Sequence, residues 1–394
     1  MKPLVLFIIG IALLFISTTT FYVAEGESVT VVQPKNDTLT ISFLFVGDIM
    51  QHEPQIQSAW DKSQKKYSYD HCFQYVSDVY DIADITIANL EFTFGGKPYT
   101  GYPMFSAPDA VGSAIQNAGI DVLVTANNHT CDRGKKGIIR TIEVIDSLGI
   151  PRTGSFKDSE DKAQHHPLII EKNGFRIALL NYTYGTNGVP IPAPTIVNLI
   201  DTAQIAKDIR IAKLRNPDEI IVLYHWGNEY ERIPNKEQKM LAEFCYNRGA
   251  RIVIGSHPHV VQPMQRFRLD ANPDVEVAVA YSLGNAISNQ RQPNCDGGAM
   301  TYISLKKYDD IVEIDQFGYI LTWVWIPIIQ GERKYYIIPV SKYEQIPGFF
   351  DAASQVKVNQ FARETRQHLK KHNVNVPEMV WDSALEIWRM SEEE

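Results

Sequence analysis

Five apolar, β-rich runs each lead into a side chain able to bind a metal or move a proton, and this recurrence restricts the chain more than any other feature. Ile41-Ser42-Phe43-Leu44-Phe45-Val46 continues through Gly47 to Asp48. Ile85–Ala88 is followed by Asn89 and Glu91, and Val122–Thr125 by Asn127, Asn128 and His129. Glu219–Tyr224 runs into His225, and Arg251–Ile254 into Gly255-Ser256-His257-Pro258-His259. Short continuous apolar runs suit strands buried on both faces. Helical patterns lie at His71–Val79, Gly137–Leu148, Thr202–Leu214 and Glu237–Asn247. Strands alternating with helices predict an α/β sheet. Open sheets of that kind bind ligands along the carboxyl edge of their strands, where the loops converge.

The second half changes character. Leu168–Glu171 and Arg176–Leu180 flank Lys172-Asn173-Gly174, an Asn-Gly hairpin signal. Val275–Tyr281, Met300–Leu305, Ile311–Gln316 and Tyr319–Ile326 read as strands, the last three as a run of antiparallel pairs. From Asp351 to Arg389 the chain reads as helix in two pieces divided by Pro377. The tail's apolar positions, Val356, Phe361, Leu369, Leu385, Ile387 and Trp388, are expected to pack on the domain.

Met1-Lys2-Pro3 precedes an uncharged run from Leu4 to Ala24. A basic start and an apolar stretch of this length define either a membrane anchor or a cleaved export signal. The chain is therefore expected to be exported to the cell envelope. A net charge of −8 speaks against a nucleic-acid partner, for which a basic footprint is expected. Cys72, Cys131, Cys245 and Cys295 show no C-x-x-C spacing, and their pairing stays open between disulfides and isolated thiols.

The candidate ligands are chemically coherent. Asp48, Glu91, Asn128, His225, His257 and His259 form a mixed nitrogen and oxygen set without thiolate. Such a set suits one or two divalent ions of Zn, Mn or Fe rather than Ca or a soft metal. Taken singly, each residue has a plainer reading: a satisfied polar group after a strand, a Gly-Asp turn, an Asn bonded to its own loop. The ordered series is much harder to obtain that way. Gly47 and Gly255 are expected to let the backbone bend sharply beside the ion.

Val46-Gly47-Asp48-Ile49-Met50, Asn89-Leu90-Glu91, Asn127-Asn128-His129-Thr130-Cys131-Asp132-Arg133-Gly134, His225-Trp226-Gly227-Asn228-Glu229-Tyr230, Gly255-Ser256-His257-Pro258-His259-Val260-Val261-Gln262 and Ser282-Leu283-Gly284-Asn285 resemble the successive motifs of the CapA family. The resemblance implies an α/β fold, a four-layer αββα sandwich of the calcineurin-like metallophosphatase type, with a C-terminal β-rich segment and a helical tail. It divides the chain into an anchor or signal (residues 1–24), a tether (25–39), the metallophosphatase-like domain (40–305), strands packed on that domain (306–345) and the tail (346–394). It also implies a role in capsule or poly-γ-glutamate production, with a bimetal site. Asp48 and His259 would serve one ion, Asn128, His225 and His257 the other, and Glu91 would bridge them.

Two departures from the wider metallophosphatase pattern stand out. Met50 occupies a histidine position, and Glu91 replaces a bridging Asp. His52 is either a replacement ligand or an ordinary loop histidine. His129 is the expected general acid, since histidine titrates near neutrality, with Asp132 or Glu229 orienting it. Asn89, Glu229 and Asn285 are expected at the substrate. Tyr99, Tyr102, Phe105, Tyr182, Tyr184, Trp226 and Tyr230 either line the cleft or pack beneath its loops. Arg291 is either an anion contact or an exposed surface residue.

These features predict a metal-dependent hydrolase of a phosphoester, or of an amide in an anionic polymer. The alternative is a non-catalytic, membrane-anchored component of a polymer synthesis or export complex that binds the anionic chain.

Overall fold

The computed structural model describes residues 38–392. The expected anchor or signal (1–24) and the tether as far as Asp37 lie outside the described residues. No helix among the described residues is long and apolar enough to cross a membrane.

The strands that carry the candidate site are β1 (Leu39–Ile49), β2 (Ile85–Leu90), β3 (Val122–Val124), β4 (Glu219–His225) and β5 (Ile252–Ser256). They belong to two different sheets. In the eight-stranded sheet the order is Tyr336–Pro339, Ile311–Trp325, Gly297–Tyr308, β1, β2, β3 and Arg152–Thr153, with Asn285–Ile287 also paired to β1. In the six-stranded sheet it is Met264–Leu269, Asn272–Ala280, β5, β4, Phe175–Thr183 and Leu168–Lys172. β1, β2 and β3 run parallel, as do β4 and β5, and antiparallel strands flank both parallel centres.

Alternation along each strand builds the layers. Phe43 and Phe45 of β1, with Ile85 and Ile87 of β2, face Ile221 and Leu223 of β4 and Ile252 and Ile254 of β5 in one inter-sheet core. The opposite face of the first sheet (Leu44, Val46, Ala88, Leu123) packs on helices at Ala110–Asn117 and Gly134–Ser147 through Val111, Ile115 and Ile145. The opposite face of the second (Ala178, Leu180, Val222, Val253) packs on Thr202–Lys213 and Lys236–Tyr246 through Ile205, Ile209 and Leu241. Helices outside two apposed sheets make the four-layer αββα sandwich. Asn173 (φ 52°) and Gly174 (φ 77°) form the expected hairpin turn.

Several expectations are corrected. Ile311–Gln316 and Tyr319–Ile326 are one strand of 15 residues, Ile311–Trp325, within the first sheet. Gly318 is no turn: a Cβ there would lie 2.4 Å from Met390 Sδ, so glycine permits a close crossing by the tail. The tail is helical only over Ala352–His372, where Phe361 and Leu369 enter the inter-sheet core. Beyond Pro377 it is a hairpin, Met379–Asp382 against Ile387–Met390. The Trp381 and Trp388 rings meet across it at 5.6 Å, and Asp382 Oδ1 accepts from the Ala384 and Leu385 amides to close the turn. Val356, Leu385 and Ile387 are exposed rather than packed. The four cysteines are free and buried.

Candidate metal centre

The two parallel centres place their carboxyl ends together, and the candidate ligands converge there. A bulge aims the first. Val46 pairs with Ala88 and Asp48 with Asn89, so Gly47 is the extra residue in β1. A Cβ on Gly47 would lie 2.2 Å from Gly284 O, and one on Gly255 2.0 Å from Tyr281 O. Neither glycine has a positive φ, so they serve close backbone approach rather than the expected bend. The left-handed backbone belongs to His257 (φ 100°) and His259 (φ 57°) themselves. Such strained conformations persist where the surrounding structure enforces them, commonly at functional sites.

Gly255→Ala is expected to displace the strand end that carries both histidines. It should cost about 1–3 kcal/mol or more by overpacking and weaken metal uptake, as thermal melts and metal titration would show.

Asp48 is fully buried: Oδ1 accepts from Asn89 Nδ2 at 2.8 Å, and Oδ2 lies 3.1 Å from His259 Nδ1. Burial pushes its carboxyl up, but the His259 bond and charge and the Asn89 amide outweigh that, so the net direction is down. The Asn89 amide also meets His225 Nδ1 at 3.3 Å, leaving His225 Nε2 facing Asn128 Oδ1 at 2.9 Å. Glu91 is equally buried, yet neither carboxylate oxygen has a hydrogen-bond partner among the described residues. Its Oε1 lies 3.6 Å from His225 Nε2 and 3.7 Å from His259 Nε2. Burial, then the neighbouring Asp48, raises the Glu91 carboxyl well above the usual range. Burial, then the adjacent imidazoles, drives His225 well down and His257 down to about 3.

A buried carboxyl and a buried His257 Nδ1 without partners among the described residues, beside His225 and His257 imidazoles that burial keeps neutral, are what a cation site requires. Ligands must shed protons or stay neutral to bind, and the ion supplies the missing partner. Two sets have ligand atoms within 4.8 Å of one another, Glu91-His257-His259 and Asp48-Glu91-His225. Glu91 is common to both, the position expected of a bridge. The two groups overlap, and Asp48 also lies against His259 and Asn128 against His225, the pairs expected to share an ion.

His129 sits beside this cluster. Its Nδ1 lies 2.8 Å from Asp132 Oδ2, which also accepts the Phe105 amide at 2.7 Å. Burial lifts the Asp132 carboxyl, and His129 offsets only part of that. Asp132, not the exposed Glu229, orients the imidazole. Asn89 and Asn285 are buried and hydrogen-bonded within the cluster. Asn285 is fully buried, 3.1 Å from His259 Nδ1 through Oδ1, while Nδ2 donates to Cys295 O and Gln290 Oε1. Both asparagines brace ligands. His52 does not stand in for the absent histidine at Met50: its Nδ1 accepts the Asn289 amide at 3.3 Å, and its backbone amide donates to Gln55 Oε1 at 2.9 Å where the helix Glu53–Ser58 begins. Burial lowers its imidazole to about 4. Arg291 is occupied by Ser288 O and Val324 O.

Three further residues support the site, and of these only Asn181 carried no sequence signal. Phe105 closes on His129 at 4.6 Å between ring centroids. Asn181 Oδ1 accepts the Ala126 amide at 2.8 Å and so anchors the loop bearing Asn128. Asn127, though within a motif, acts as a brace: its amide donates to Leu90 O and its oxygen accepts the His129 amide.

Four layers, with carboxylate and imidazole side chains gathered where two sheets end, define an αββα sandwich carrying a candidate divalent-metal site, the architecture that the resemblance implied. Within that class, the chain belongs to the bacterial capsule synthesis protein PGA_cap family, which it matches over residues 42–290. It is 29% identical over 316 residues to the capsule biosynthesis protein CapA of Bacillus anthracis, across 75% of this chain and 71% of that one. It is 26% identical over 323 residues to the PGA biosynthesis protein CapA of Bacillus subtilis, across 76% of each. Among solved structures, the calcineurin-like phosphoesterase YfkN from Bacillus subtilis aligns with a TM-score of 0.42 and 13% identity, covering 85% of this chain and 99% of that chain.

Proposed function

We propose that the protein is a metal-dependent hydrolase that cleaves a phosphoester, or an amide of an anionic polymer, during capsule or poly-γ-glutamate production. It would act at the cell envelope, held there or exported by its first 24 residues, in company with other capsule-synthesis components. One observation carries the reading: Glu91 has two unpartnered buried oxygens among the imidazoles of His225, His257 and His259, beside an oriented His129–Asp132 pair.

Asp48, Glu91, Asn128, His225, His257 and His259 would hold Mn, Zn or Fe. A divalent centre of this kind supplies an activated water at neutral pH and positive charge for the oxygens of the reacting group. The chain's own residues supply the rest. Asn89 and Asn285 fix the rings of His225 and His259. Asp132 holds His129 Nδ1, leaving Nε2 without a hydrogen-bond partner among the described residues. For a phosphodiester, water oxygen bonds to phosphorus as the bond to the leaving oxygen breaks. His129 Nε2 protonates the leaving oxygen, and the proton lost by water restores the imidazolium. Phe105 keeps bulk water from one side of His129.

Protein stripped by chelator is expected to be inactive on an aryl phosphodiester and to regain turnover with Mn or Zn. Absence of metal-dependent turnover, with ions bound, would favour the second reading, a polymer-binding component. The buried Met50 favours that reading, since β1 then provides only Asp48 as a ligand.

A further inference from the structure

Of the seven aromatic residues near the motif loops, four are taken up by packing. Tyr182 and Trp226 lie in the core of the second sheet, Phe105 is buried behind His129, and Tyr99 packs on Tyr67 at 5.3 Å. The other three are exposed: Tyr102 at 73%, Tyr184 at 47% and Tyr230 at 44%. Each stands against a different histidine of the centre. Tyr184 is 4.6 Å from His257 and lies parallel to His225 within 11°. Tyr230 is 6.3 Å from His259, and Tyr102 6.5 Å from His129. They arrive on three separate loops, following β2, Phe175–Thr183 and β4.

Tyr230 holds its place at a conformational cost. Its φ is +68°, rare outside glycine and asparagine. Its amide donates to Pro258 O at 2.8 Å, which pins the tyrosine to the loop bearing both histidines. Exposed glutamates stand beside the rim: Glu229 adjoins Tyr230, and Glu53 accepts the Gly101 amide next to Tyr102.

Tyrosine offers an apolar face and a polar hydroxyl on one rigid side chain. No two of these three rings pair with each other among the described residues, so they do not form the parallel-walled slot that would grip a planar base. Carboxylates accept hydrogen bonds from hydroxyl groups and repel a second anionic group. A neutral, hydroxyl-bearing ring matches both properties, whereas a linear polycarboxylate is repelled by the second.

We propose that the rim formed by Tyr102, Tyr184 and Tyr230 selects a phosphoester whose neighbouring group is a sugar ring, with Glu229 accepting from the ring hydroxyls. This rests on the centre binding an anion as proposed above, and it narrows that substrate to the glycosyl phosphoester class.

The test is calorimetric titration of the metal-loaded protein with inorganic phosphate, glucose 1-phosphate and a short γ-linked glutamate oligomer. Glucose 1-phosphate is expected to bind roughly 10-fold more tightly than inorganic phosphate, the scale of one or two good aromatic contacts. Tyr184→Ala and Tyr230→Ala should each remove most of that gain and leave inorganic phosphate affinity unchanged. Tyr184→Phe, which keeps the face, should retain it. Equal affinity for the two phosphates, tighter binding of the glutamate oligomer, or equal loss of both phosphates in the alanine variants would each overturn the proposal. Failure of inorganic phosphate itself to bind would overturn the anion-binding reading as well, so the two failures are distinct.

Discussion

Glu91→Gln is expected to lower affinity for Mn or Zn by roughly 100-fold or more, at least as much as loss of a residue that merely braces a ligand costs, while leaving the metal-free protein at least as heat-stable as wild type. The two halves have one cause. Both Glu91 oxygens are buried without a partner, so in the metal-free protein the carboxyl is a burden. An amide of the same shape lightens that burden but cannot act as an anionic ligand. Wild-type protein should gain about 2.7 kcal/mol when the ion is at 100 times its Kd, and the variant should gain almost nothing at the same concentration. Titration calorimetry and paired melts with and without metal would read both effects. A variant that takes up metal like wild type would remove Glu91 from the centre.

His129→Ala is expected to reduce hydrolysis of an alkyl phosphodiester by roughly 10²–10⁴-fold, the usual contribution of a positioned proton donor, with bound metal unchanged. A nitrophenyl ester should lose far less, because its leaving group departs without a proton. Asp132→Asn should fall between wild type and His129→Ala, since the carboxylate 2.8 Å from Nδ1 fixes which nitrogen faces the leaving group. Equal losses on both esters would mean that His129 acts through the structure of the site and not as an acid. Metal analysis of the variants separates that outcome from loss of the centre.

The parts of the fold that follow short-range rules were legible in the sequence. β1, β2, β4 and β5 are apolar on both faces, and the Asn173-Gly174 turn needs only local chemistry. What escaped depends on distant partners. Ile311–Gln316 and Tyr319–Ile326 read as separate strands, yet they join through Gly318, whose close approach to Met390, far along the chain, is a tertiary fact. The hairpin after Pro377 reads as helix because its Trp381–Trp388 pairing leaves no periodic mark.

The site divides in the same way. Ligand identity follows from residue type and place after a strand, but ligand orientation does not. Asn89 and Asn285 read as substrate contacts, and only the folded chain turns them onto His225 and His259. Gly47 and Gly255 read as sites of a sharp bend, but close backbone approach is what requires them. The crowding of Gly284 O and Tyr281 O is a tertiary fact. The rim sharpened most: seven aromatic residues near the motifs reduce to three that face outward.

The central claim is that the cluster around Glu91 is a divalent metal centre. Anomalous diffraction from a crystal soaked in Mn or Zn tests it most directly. One or two peaks within ligand distance of Glu91, shared with Asp48, His225, His257 and His259, are the expected result. A saturating soak that leaves no anomalous density beside Glu91 would contradict it.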